Sequence, residues 1–70
     1  MKNNMAYFVV MCIGWYAVSK SLGYSDSFRL LSKTGALNFL ISNYEAEHLL
    51  GPDDVIEDLQ VFVDRGLVDV

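Results

Sequence analysis

Residues 5–18 read Met-Ala-Tyr-Phe-Val-Val-Met-Cys-Ile-Gly-Trp-Tyr-Ala-Val and contain no charged side chain. Few features constrain a short chain more. An ordinary surface helix carries one apolar stripe, whereas this segment is apolar around its whole circumference and calls for burial on every side. As a helix it is roughly 21 Å long at about 1.5 Å per residue, too short to cross a hydrocarbon core of about 30 Å comfortably. A chain of 70 residues has little interior to offer such a segment. Two arrangements satisfy it. A small bundle wraps round the helix, or a second protein covers the side the bundle leaves open.

Length sets one domain over residues 1–70, at a size where a single core is marginal. The lone Cys12 cannot form an internal disulfide, and inside the apolar run a free cysteine acts as a small hydrophobe. No disulfide framework is present, so a reducing, cytoplasmic compartment is expected. Lys2 ahead of the apolar run, with Ala17-Val18-Ser19 after it, has the outline of a secretory signal. The bulky Trp15 and Tyr16 just before that point argue against cleavage there. The hydrophobic share of 53% exceeds the usual soluble share and points to a chain with a sticky contact surface.

The net charge of −4 conceals a division. Residues 1–43 set Lys2, Lys20, Arg29 and Lys33 against Asp26 alone. Residues 44–70 set Arg65 against Glu45, Glu47, Asp53, Asp54, Glu57, Asp58, Asp64 and Asp69. Such asymmetry marks either an electrostatic docking face or the solvated side of the last helix.

The pattern predicts an all-α fold, a small bundle of about four helices with a short C-terminal tail. The first helix covers about Asn4 to Ser19 and stops near Gly23. The second opens with Ser25 as N-cap, carries Phe28, Leu30 and Leu31, and closes at Gly35. The third runs from about Ala36 to His48, with Leu37, Leu40, Ile41 and Tyr44 at helical spacing. Gly51 ends it. Pro52 suits the first position of a fourth helix, and Asp53 and Asp54 complement its dipole. Val55, Ile56, Leu59, Phe62 and Val63 then form an apolar stripe, from which Asp53, Glu57, Asp58 and Asp64 project away. Gly66 is expected to stop this helix and leave Leu67 to Val70 as the tail.

Tyr44-Glu45-Ala46-Glu47-His48, then Gly51, then Val55-Ile56-Glu57-Asp58-Leu59, resembles a bacterial domain-of-unknown-function family numbered thirty-seven ninety-one. The resemblance extends to an aromatic-rich first helix, Tyr7 to Tyr16, and to Gly35 ahead of Leu37 to Ile41. Glu47 stands where the family pattern has an apolar residue, and Leu49 where it has a small polar one. The resemblance implies a short helical protein with no assigned catalytic residues. It also implies a protein partner, an ADP-ribosyltransferase-like toxin encoded beside it, and hence an antitoxin role.

Glu45 and His48 form Glu-x-x-His on one helical face, the spacing used in di-iron bundles. A two-fold dimer with Glu57 from each chain would complete such a site. The simpler reading places His48 at a helix end, where it satisfies free carbonyls. Cys12 lacks a basic neighbour, His48 lacks a preorganised Ser or Cys partner, and no glycine-rich phosphate loop occurs. No enzyme activity, metal or cofactor is therefore expected. The second and third helices, joined by Lys33-Thr34-Gly35, have the proportions of a helix-turn-helix in which Arg29, Lys33 and Asn38 would face DNA. A mostly apolar recognition helix and net acidity oppose direct nucleic-acid binding.

The expectation is a small acidic protein-interaction module, an antitoxin-type or regulatory partner, with self-association as a further possibility. Tyr7, Met11, Trp15 and Tyr16 would supply the apolar contact, and Glu57, Asp58 and Asp64 would steer a basic protein. The alternatives are a homodimeric metal-carboxylate bundle, and a phage or mobile-element inhibitor that imitates nucleic acid through Asp53, Asp54, Glu57, Asp58 and Asp64.

Overall fold

A computed structural model describes residues 4–68. They fold as five helices: α1 (Asn4–Ser19), α2 (Tyr24–Lys33), α3 (Ala36–Ser42), α4 (Tyr44–Glu47) and α5 (Pro52–Val68). The expected all-α bundle is the fold. No single helix is long and apolar enough to cross a membrane among the described residues.

The chain leaves α1 at Ser21, earlier than Gly23. Ser21 takes the left-handed conformation with φ 56°. The Leu22 N–H reaches back to the Ala17 carbonyl at 2.8 Å, and the Ser21 N–H to that of Val18 at 3.2 Å. This pair of bonds is the Schellman closure of a helix, usually built on glycine. Gly23 instead has φ −70° and ψ 158° and caps the start of α2, so Ser25 lies within α2 and is not its N-cap. The turn sets α1 and α2 at 109°.

Gly35 does close α2, at φ 85°, and opens α3. Thr34 Oγ1 beside it donates to the Leu30 carbonyl at 2.8 Å. The expected third helix is broken in two. Asn43 Nδ2 donates to the Phe39 carbonyl at 3.0 Å, and its backbone leaves the helical region at φ −117°, ψ 27°. The Asn43 backbone N–H donates to the same carbonyl at 2.9 Å, so both groups of Asn43 close α3 on Phe39. Pro52 opens α5 as anticipated, but Gly66 does not stop it: α5 continues to Val68. The end of the expected tail, Asp69 and Val70, lies outside the described residues, as does Lys2.

The reason for Gly66 is a close approach. A Cβ there would lie 2.7 Å from Thr34 Cγ2 and 2.8 Å from Thr34 Cβ. The last turn of α5 therefore sits directly on the end of α2.

The core gathers on α1. Cys12, Ile13, Tyr16 and Ala17 are buried against Leu31 of α2, Ala36 and Leu40 of α3, and Val55, Leu59 and Val63 of α5. The α5 stripe read from the sequence is thus the face turned inward, with Ile56 and Phe62 packed at its margin. Phe62 meets Phe39 with ring centroids 4.6 Å apart. Two polar contacts cross this core. The fully buried Ser27 hydroxyl donates to the Ile13 carbonyl at 2.9 Å. The Tyr16 hydroxyl donates to Gln60 Oε1 at 2.7 Å.

Candidate functional site

The bundle covers one half of α1 and leaves the other open. At 100° per residue, Tyr7, Met11 and Val18 fall on the side opposite Cys12, Ile13 and Tyr16. Tyr7 is 74% exposed and Met11 48% exposed. Between this ridge and the buried face lies Val10, which borders a groove. The groove has a volume of about 530 Å³ and is lined by Met5, Val10 and Ile13 from α1, Tyr24 and Phe28 from α2, and Ile41 from α3. None of these side chains is charged. The Tyr24 hydroxyl, their one polar side-chain group, donates to the Val10 carbonyl at 3.2 Å. A second depression of about 480 Å³ continues from Met5 and Ile41 past Ser42, Asn43 and Glu45.

Sequence reasoning placed Phe28 and Ile41 on apolar faces, and the structure leaves both about half exposed at the groove. Helical spacing identifies an apolar face, but it does not say whether a neighbouring helix covers it. Tyr24, Phe28 and Leu31, at i, i+4 and i+7, share one face of α2, and spacing alone does not separate the buried Leu31 from the half-exposed Tyr24 and Phe28.

The apolar residues expected at a contact surface divide. Tyr7 and Met11 are open. Trp15 is partly buried and packs against the core. Tyr16 is a correction: it is 2% exposed, and its hydroxyl is engaged by Gln60, so it belongs to the interior. Its burial, with the charge of Asp64 nearby, raises its pKa above the ordinary tyrosine value.

The acids divide as well. Asp53, Asp54, Glu57 and Asp64 are exposed on α5, with Asp64 accepting a 2.7 Å hydrogen bond from Gln60 Nε2. Asp58, expected to project away, is partly buried and faces Glu47. Glu47 is 5% exposed, and its Oε1 has no hydrogen-bond partner among the described residues. Burial, and then the Asp58 carboxyl beside it, push the Glu47 carboxyl up to about 7. When protonated, Glu47 donates to Asp58. The same burial, with Glu47 close by, pushes the Cys12 thiol up to about 12, so Cys12 is not a nucleophile at neutral pH.

Glu45 and His48 are both exposed at α4. His48 Nδ1 lies 2.7 Å from the Tyr44 carbonyl, and its ring stacks on Tyr44 with centroids 4.5 Å apart. Tyr44 in turn meets Phe8 edge-on at 5.6 Å. The histidine thus closes the short helix and joins an aromatic stack. Among the described residues, no three His, Cys, Asp or Glu side chains are grouped to hold a metal ion.

A family model for a protein of unknown function, DUF3791, matches residues 7–65. No curated protein and no solved structure matches the chain. The matched span includes the ridge, most of the groove, the Glu47–Asp58 pair and most of α5.

Proposed function

The chain belongs to the DUF3791 family, and we propose that it acts by contact, as a small acidic protein-interaction module of antitoxin or regulatory type. The observation that carries this reading is the open, uncharged half of α1, where Tyr7, Val10 and Met11 stand beside an apolar groove. Contiguous apolar surface of this kind marks interaction sites, and tyrosine is enriched among the residues that dominate binding. Hydrophobic contact supplies the affinity. The exposed acids Asp53, Asp54, Glu57 and Asp64 on α5 steer a basic partner during encounter.

The partner class implied by the family resemblance is an ADP-ribosyltransferase-like toxin. Co-expression of the chain with such a neighbouring protein tests the reading. The expected result is a stable complex and suppressed toxicity, both weakened by the paired substitution Tyr7→Ser and Met11→Glu. Absence of both complex and protection would overturn the antitoxin reading.

A further inference from the structure

We infer that the surface of α1 and its groove is covered by a second copy of this chain, in a two-fold dimer that seats the Tyr7–Met11 ridge of each protomer in the groove of the other. The inference rests on the contact reading above: in the free protein this surface is taken by a second copy, which a toxin partner must displace.

Area is the first argument. Met5, Val10, Tyr24, Phe28 and Ile41, with Tyr7 and Met11 beside them, are each between about a third and three quarters exposed. At about 200 Å² for a large side chain this surface amounts to the order of 700 Å². A stable interface buries about 800 Å² on each partner, while the largest apolar patch of a typical monomer is about 300–600 Å².

Self-complementarity is the second. A two-fold interface requires one molecule to carry both halves of the contact. Here the ridge and the groove lie side by side on α1, divided by Val10. A two-fold axis along α1 places the two α1 helices in parallel with Val10 against Val10, and each ridge then meets the opposite groove. Antiparallel packing would set ridge against ridge.

Charge is the third. A chain of net charge −4 resists meeting itself if its acids lie at the contact. No ridge or groove residue is charged, and no α5 residue lines the groove, among the described residues. The α5 acids are left outside the contact.

Sedimentation equilibrium of the full chain tests this. A dimer is expected at micromolar concentration. Met11→Glu and Ile41→Glu, both at exposed positions, are each expected to weaken it at least tenfold with helical content unchanged. Val61→Glu, on the exposed side of α5, is expected to leave it intact. Val10→Cys is expected to give an oxidised intermolecular disulfide, and the buried Cys12 of the parent chain to give none. A monomeric parent chain, or a dimer indifferent to both ridge and groove substitutions, would overturn the inference. A monomer that still binds an ADP-ribosyltransferase-like protein through Met11 also overturns it, while leaving the functional reading in place.

Discussion

The Tyr16 hydroxyl donates to Gln60 Oε1 at 2.7 Å, and Gln60 passes the contact on, its Nε2 donating to Asp64 at 2.7 Å. A single glutamine thus joins the buried centre of α1 to the charged surface of α5. Tyr16→Phe retains the packed ring and removes the bond. It is expected to cost about 0.5–1.5 kcal/mol in urea unfolding. A double-mutant cycle with Gln60→Ala should return a coupling of the same order.

Glu47 gives the protein a pH-dependent stability. Its folded-state pKa of about 7 lies above the ordinary value of 4.5. The folded chain therefore holds this proton more tightly than the unfolded chain. The stabilisation is fully present below pH 4.5 and is lost as pH rises through 7. The loss is on the order of 2–3 kcal/mol. Glu47→Gln keeps a donor toward Asp58 and cannot ionise. Chemical denaturation at pH 5 and pH 8 should differ for the parent chain and much less for this variant, which should be the more stable of the two at pH 8.

Gly66→Ala should be destabilising although alanine is the better helix former by about 1 kcal/mol. The added Cβ would stand 2.7 Å from Thr34 Cγ2, and Thr34 Cα lies only 3.1 Å away, so α5 must shift from α2. A cost of about 1–3 kcal/mol is expected. Gly51→Ala is the comparison: a Cβ there meets nothing within 4 Å, and the melting temperature should hardly change.

Ser21→Gly should be stabilising. Ser21 is exposed and holds φ 56°, where an L side chain crowds its own backbone and glycine does not. A gain of about 0.5–1 kcal/mol is expected in thermal unfolding, and Ser21→Val should lose more than that.

The exposed acids of α5 should act on encounter and not on folding. Glu57→Gln should slow association with a basic partner, as should raising salt, which shortens the screening length from about 10 Å at 0.1 M to about 3 Å at 1 M. Stopped-flow association rates measure this. Stability should change by less than about 0.5 kcal/mol.

The sequence made α5 legible because Pro52, two acids and five apolar residues at helical spacing agree on one element. Gly35 was legible as a stop for the same reason: the turn requires a left-handed residue and glycine stands there. The other boundaries rest on competition that spacing does not register. Ser21 occupies a glycine-like position because the Schellman bonds outweigh its strain, and Asn43 ends α3 with its backbone and its amide both on the Phe39 carbonyl. At the candidate site, the apolar character of α1 was plain, but its division was not. Tyr16 turns inward because Gln60 receives its hydroxyl, forty-four residues away in sequence. Asp58 falls among the acids expected to project into solvent, since charge and spacing carry no information on the buried Glu47 that faces it.

The buried Ser27 hydroxyl finds its acceptor in the Ile13 carbonyl. Between purely apolar helices a shift costs packing alone, which a new set of methyl contacts restores in part. A hydroxyl permits no such exchange. A shift of α2 by one turn would strand it among hydrocarbon, at about 1–3 kcal/mol. One oxygen atom therefore indexes α2 against α1, and with it the height along α1 at which Tyr24 and Phe28 open the groove.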